Sequence, residues 1–122
     1  MVYRGNIYYV VGTENADSEQ SSGRPAIVVS NNKCNAFSTV VEVVYLTTKS
    51  KTELPTHVTI KSAPKLSVAL CEQVTSVSTK RLKSLVGTCS EQEMASIDEA
   101  LRISLALGDT STCSKLSKPN KQ

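Results

Sequence analysis

The segment Gly23-Arg24-Pro25-Ala26-Ile27-Val28-Val29-Ser30-Asn31 decides how this chain folds. Its β-branched residues crowd in behind a proline, the pattern of a buried strand entered from a polar loop. Pro25 donates no ladder hydrogen bond and biases Arg24 toward extended backbone, so a strand is expected over Ala26 to Ser30 with the arginine at its threshold. A guanidinium leaving a rigid sheet at a fixed angle presents a fork of donors suited to phosphate. The next apolar run, Val40-Val41-Glu42-Val43-Val44-Tyr45-Leu46, predicts a neighbouring strand over Thr39 to Thr47 and ends in the hydroxyl pair Thr47-Thr48. Arginine and threonine then have a route to meet. A lone arginine before a strand more often forms a surface salt bridge, so this pairing needs support from elsewhere in the chain.

Upstream, Asn6-Ile7-Tyr8-Tyr9-Val10-Val11 reads as a first strand behind the turn Arg4-Gly5. Gly12 to Gly23 holds almost nothing to bury and reads as a long loop that delivers Arg24; loops of that length tend to be functional. Downstream, Asn31-Asn32-Lys33-Cys34-Asn35 is turn chemistry with room for a single helical turn. Glu42 among valines is expected to face solvent or a strand edge. His57-Val58-Thr59-Ile60 alternates cleanly as a short strand between polar loops at Lys49 to Pro55 and Lys61 to Ser67. His57, the single histidine, cannot form a two-imidazole acid/base pair and is read as structural. Val68 to Val74 is a nearly continuous apolar run in which Glu72 and Gln73 need partners.

Ser76 to Leu82 predicts a capped turn and Leu85 to Cys89 the last strand. Ser90-Glu91-Gln92-Glu93 then fits the S-x-x-E capping box. Met94, Ile97, Leu101, Leu105 and Gly108 form one helical stripe behind it, with Ala100, Ile103 and Leu107 as a second, partial stripe. Short strands, variable loops and one terminal helix imply the α+β class, as a small β-barrel or strongly curved sheet. Residues 1–108 are read as one domain and residues 109–122 as a disordered polar tail.

At 122 residues and 39% hydrophobic content the chain fits a single core. No stretch approaches the ~20 apolar residues that span a bilayer, and the N-terminus has no signal-peptide h-region, so a cytoplasmic location is expected. Cys34, Cys71, Cys89 and Cys113 are widely spaced without a C-x-x-C, which argues against a zinc site and for no metal at all. Cys71 and Cys89 lie in apolar runs and are expected to be inert. A net charge of +3 permits a polyanionic partner without demanding one. Lys49, Lys51, Lys61, Lys65, Lys80, Arg81 and Lys83 fit solvated loops as well as a nucleic-acid footprint.

Several segments together resemble the MazF/PemK toxins, RNA-cleaving members of bacterial toxin-antitoxin systems. These are Arg4-Gly5-Asn6-Ile7-Tyr8, Ser18-Glu19-Gln20 ahead of Gly23-Arg24-Pro25, Ser30-Asn31, Asn35-Ala36-Phe37-Ser38 and Leu46-Thr47. Leu54-Pro55-Thr56-His57-Val58, Glu72-Gln73-Val74 and the helix residues Asp98 to Leu105 follow in the same order. The resemblance implies a CcdB/PemK-like (SH3-like) barrel, a homodimer, and metal-independent, cofactor-free cleavage of single-stranded RNA at a short recognition sequence. It carries the catalytic pair over to Arg24 and Thr47, and it suggests RNA contacts at Glu19, Gln20, Lys49, Lys51 and Gln73. It further implies a cognate antitoxin, whose acidic segment is expected to displace the loop Gly12 to Gly23. Three departures stand out: Asn6 where the family often has Asp, Ser21-Ser22 in place of a glycine pair, and a short loop from Lys61 to Ser67. A protein-binding toxin of the same fold that targets DNA gyrase is the alternative, and a catalytically silent RNA-binding domain is a third reading.

Overall fold

Ile7, Ile27 and Val44 are fully buried on three adjacent strands, where β-branched side chains suit the pleated backbone and pack on one face. The computed structural model describes residues 1–12, 23–49 and 52–108. The loop residues between Gly12 and Gly23, the tail from Asp109 and Cys113 lie outside them. In chain order the elements are β1 (Asn6–Val10), β2 (Arg24–Val28), α1 (Asn32–Phe37), β3 (Val40–Thr47), β4 (His57–Ile60), β5 (Ser67–Ser78), a 3-10 turn (Thr79–Arg81), β6 (Leu82–Thr88) and α2 (Glu91–Leu105). The strands form one sheet in the order β4-β5-β3-β2-β1-β6, antiparallel throughout.

The sheet is curved but not closed, with β4 and β6 at its edges. The loop after β4 still comes against β6, for a Cβ placed on Gly87 would stand 2.4 Å from the Ser62 carbonyl oxygen. Only glycine allows that approach. One face of the sheet packs Ile7, Ile27, Val44, Leu46, Ile60 and Ala69 against Ile97 and Ala100 of α2. The other face gathers Val10, Ala26, Val28, Val41, Val43 and Val77, with Tyr8 and Tyr45 partly covering them. Each buried aliphatic side chain contributes about 1.5–3 kcal/mol, so both faces matter to stability.

α2 starts where the capping box places it. Ser90 Oγ accepts from Glu93 N at 3.1 Å, and Glu93 Oε1 accepts from Ser90 N at 2.8 Å. Glu93 also accepts from Lys61 N (2.7 Å), Ser62 N (3.2 Å) and Ser62 Oγ (2.6 Å), which fastens the loop after β4 to the helix start. Burial opposes its ionisation, yet these hydrogen bonds outweigh that and bring the carboxyl down to about 2.

The helix ends earlier than its stripe suggests. Ala106 adopts a left-handed conformation (φ 58°) and Leu107 N donates to the Arg102 carbonyl oxygen, a closing bond that leaves Gly108 beyond the helix. Ile97 and Ala100 are the buried positions, whereas Leu105, Ile103 and Leu107 are exposed. Other boundaries shift as well. β2 begins at Arg24, β5 runs on to Ser78, and Ser78 caps the 3-10 turn through Lys80 N (3.2 Å), so β6 starts at Leu82. β3 is an interior strand, and Glu42 on it accepts from Ser76 Oγ of β5 at 2.7 Å instead of lying on an edge. No helix among the described residues is long and apolar enough to cross a membrane.

Candidate active site

β2 and β3 pair through Val28 with Val43, Ile27 with Val44, and Ala26 with Tyr45. The paired residues stop there; Arg24 opens β2 and Thr47 ends β3, each two residues beyond that last pair, at the same end of the antiparallel ladder. The period-two pleat puts Arg24, Tyr45 and Thr47 on one face, opposite the one that meets α2. Arg24 is exposed. Its Nη2 donates to the Leu46 carbonyl oxygen at 3.3 Å, and its guanidinium carbon lies over the Tyr45 ring, 4.9 Å from the centroid. Among the described residues the ion pairs are Arg4 with Asp98, His57 with Glu72 and Arg102 with Glu99, so no carboxylate there neutralises Arg24.

Thr47 is half-buried and its Oγ1 accepts from Lys49 N at 3.2 Å. A hydroxyl that already accepts keeps its proton for donation elsewhere. Lys49 itself is exposed beside it. The structure thus brings Arg24, Thr47 and Lys49 to one end of the β2-β3 pair. Glu19, Gln20 and Lys51 lie outside the described residues.

Gln73 lies in an irregularity of β5, across from Tyr45. β5 pairs Ala69 with Leu46 and Val74 with Val44, so the four residues Leu70 to Gln73 oppose Tyr45 alone. Such a bulge bends the strand and re-aims its side chains. Glu72 and Gln73 are therefore exposed, contrary to the buried setting expected from the apolar run around them. Glu72 has the partners it was expected to need: Oε1 accepts from Thr56 Oγ1 at 2.9 Å and Oε2 lies 3.0 Å from His57 Nε2. Its slight burial works against ionisation, but the hydrogen bonds from His57, its own backbone and Thr56 win, and the carboxyl lies below its ordinary range. His57 Nδ1 stands 2.8 Å from the Thr52 carbonyl oxygen, so the imidazole ties β4 to the bulge and to the loop after β3. Its role there is structural.

Tyr45 joins Arg24 at this end of the sheet although in the sequence it reads as one more apolar residue of β3. Period two from Thr47 back to Tyr45 was the available signal. A concavity of about 710 Å³ lies at the other end of β2 and β3, beside Val29, Phe37, Val40 and Glu42. Its polar side chains are already engaged: Arg4 with Asp98 and the Val29 carbonyl, Ser30 with Asn35, Glu42 with Ser76. Chemistry favours the Arg24 end. Cys71 and Cys89 are buried, and burial pushes their thiols up to about 12. No cluster of three or more His, Cys, Asp or Glu side chains converges among the described residues.

A family model for the PemK-like, MazF-like toxin of type II toxin-antitoxin systems matches residues 3–105. This chain belongs to that family. Among solved structures, the toxin is similar to an endoribonuclease from a mycobacterial species in complex with its cognate antitoxin. The two are 27% identical over 88% of this chain and 98% of the other, with a TM-score of 0.75. It is also similar to an endoribonuclease from a mycobacterial species at 26% identity, covering 87% and 92% of the two chains with a TM-score of 0.72. MazF from Deinococcus radiodurans, at 21% identity with 87% and 97% coverage and a TM-score of 0.70, shares the fold.

Proposed function

We propose that this toxin is a sequence-specific, metal-independent endoribonuclease of the cytosol that acts on single-stranded RNA and is neutralised by a cognate antitoxin. Arg24 at the start of β2 and Thr47 at the end of β3, sharing one end of the strand pair with no carboxylate of the described residues on the guanidinium, is the observation that carries the reading. Family membership and the similarity to endoribonucleases, one of them held by its antitoxin, support it.

In this reading the ribose 2'-oxygen attacks the adjacent phosphorus, the bond from phosphorus to the 5'-oxygen breaks, and the proton lost by the 2'-OH is balanced by one gained at the leaving 5'-oxygen. The products are a 2',3'-cyclic phosphate and a 5'-OH. Arg24 stabilises the charge growing on the phosphorane by donating hydrogen bonds, because a guanidinium keeps its protons and is a poor base. Thr47 adds one donor. Losing one such preorganised donor costs about 10²- to 10³-fold in rate. Lys49 and Gln73 contact the RNA, as do Glu19, Gln20 and Lys51. Two copies of the chain form the working homodimer, testable by sedimentation.

The deciding experiment incubates purified protein with long RNA in EDTA and maps every cut end. Cyclic phosphates at a recurring short sequence, lost in Arg24→Ala and Thr47→Ala proteins that remain folded, are expected. Retained cleavage by either variant would overturn the assignment. Stalled gyrase complexes on DNA without RNA breakage would replace it with the protein-binding reading.

A further inference from the structure

Arg24 is exposed on the sheet, and an exposed arginine ordinarily samples many rotamers or settles against a carboxylate. Among the described residues no carboxylate pairs with it. Its guanidinium carbon lies over the Tyr45 ring at 4.9 Å, and one N–H reaches the Leu46 carbonyl oxygen of the next residue on β3. Tyr45 is itself held firmly, for it is paired in register with fully buried Ala26 and packs on the cluster of Val10, Val28, Val41 and Val43.

We propose that Tyr45 is the positioning residue for Arg24, a part ordinarily filled by an acidic side chain. The proposal rests on the reading of Arg24 as the group that meets the scissile phosphate. A carboxylate would hold the arginine too, but bidentately, occupying the donor fork and cancelling its charge. The quadrupole of an aromatic face attracts the cation without neutralising it. Of the five guanidinium N–H donors, the Leu46 carbonyl takes one, and among the described residues no other acceptor engages the rest. Tyr45 thus fixes direction while leaving charge intact.

The test compares Tyr45→Phe and Tyr45→Leu in steady-state cleavage of an RNA oligonucleotide carrying the mapped site, alongside the NMR resonance of the Arg24 Nε–H. The ring of the wild-type protein shifts that resonance through its ring current. Tyr45→Phe is expected to keep kcat within twofold and the resonance near its wild-type position. Tyr45→Leu is expected to lower kcat about five- to tenfold with KM changed less than twofold, and to return the resonance to the value of a free arginine. Wild-type kcat in Tyr45→Leu, or an unmoved resonance, would overturn the proposal; so would a loss in Tyr45→Phe as large as in Tyr45→Leu, which would assign the effect to the hydroxyl. If the wild-type protein cleaves no RNA, the nuclease reading falls, whereas the resonance still decides whether Tyr45 holds the arginine.

Discussion

His57 stands between two oxygen acceptors, the Glu72 carboxylate at 3.0 Å and the Thr52 carbonyl at 2.8 Å, and so joins three separate stretches of chain. The ring is 9% exposed and Glu72 37% exposed, so the contact is shielded on one side only. Glu72→Gln is expected to cost about 1 kcal/mol near neutral pH, a figure already reduced for solvent screening. The carboxyl is held below its ordinary value of 4.5, so its contribution is complete above that pH and fades as pH falls through the lowered value. Urea denaturation of wild type and variant at neutral and acid pH measures this, and a difference that grows on acidification would contradict it.

Glu93 offers a stronger case of the same linkage. It closes the capping box and accepts three hydrogen bonds from Lys61 and Ser62. Glu93→Gln is expected to destabilise by about 2 kcal/mol at neutral pH, against ~1 kcal/mol for Ser90→Ala, which leaves the Glu93 bonds to the loop in place. With a folded-state pKa of about 2 against 4.5, the Glu93 contribution is present above pH 4.5 and lost as pH falls toward 2. Thermal melts across that window decide it.

Gly87→Ala puts a methyl group 2.4 Å from the Ser62 carbonyl oxygen, a backbone atom that cannot rotate away. The expected cost is about 2–3 kcal/mol. Gly12→Ala has nothing within 4 Å of the added carbon and serves as the control. Equal melting temperatures for the two variants would show that β6 and the loop after β4 separate freely.

Arg24→Lys keeps the charge but loses the planar fork, and a lysine cannot both meet the Leu46 carbonyl and offer several donors to one phosphate. Cleavage is expected to fall about 10²-fold or more while the melting temperature stays within a degree or two. Activity close to wild type would mean that charge alone suffices.

Much of this architecture is legible in the chain because its strands are β-branched and its main helix announces itself at Ser90 and Glu93. Proline at position 25 marked the entry to β2 but set its first residue two positions too late, at Ala26 and not Arg24, since the extended backbone it imposes on Arg24 is itself strand geometry. The bulge was hidden for a different reason. Val68 to Val74 reads as continuous strand, and surplus residues in a ladder appear only when the partner's register is known. The helix ends before its stripe does: the stripe runs past Leu105, while the left-handed cap already falls on Ala106, two residues before Gly108. Arg24 and Thr47 could be named from the family pattern; the ring that holds the arginine required the fold.

The bulge in β5 is an insertion point placed inside a strand. Residues can be gained or lost there over generations while the pairings at Ala69 and Val74 continue to anchor it on either side. A lineage of such proteins is thereby free to vary what it presents beside Tyr45 and to inherit the sheet beneath it unaltered.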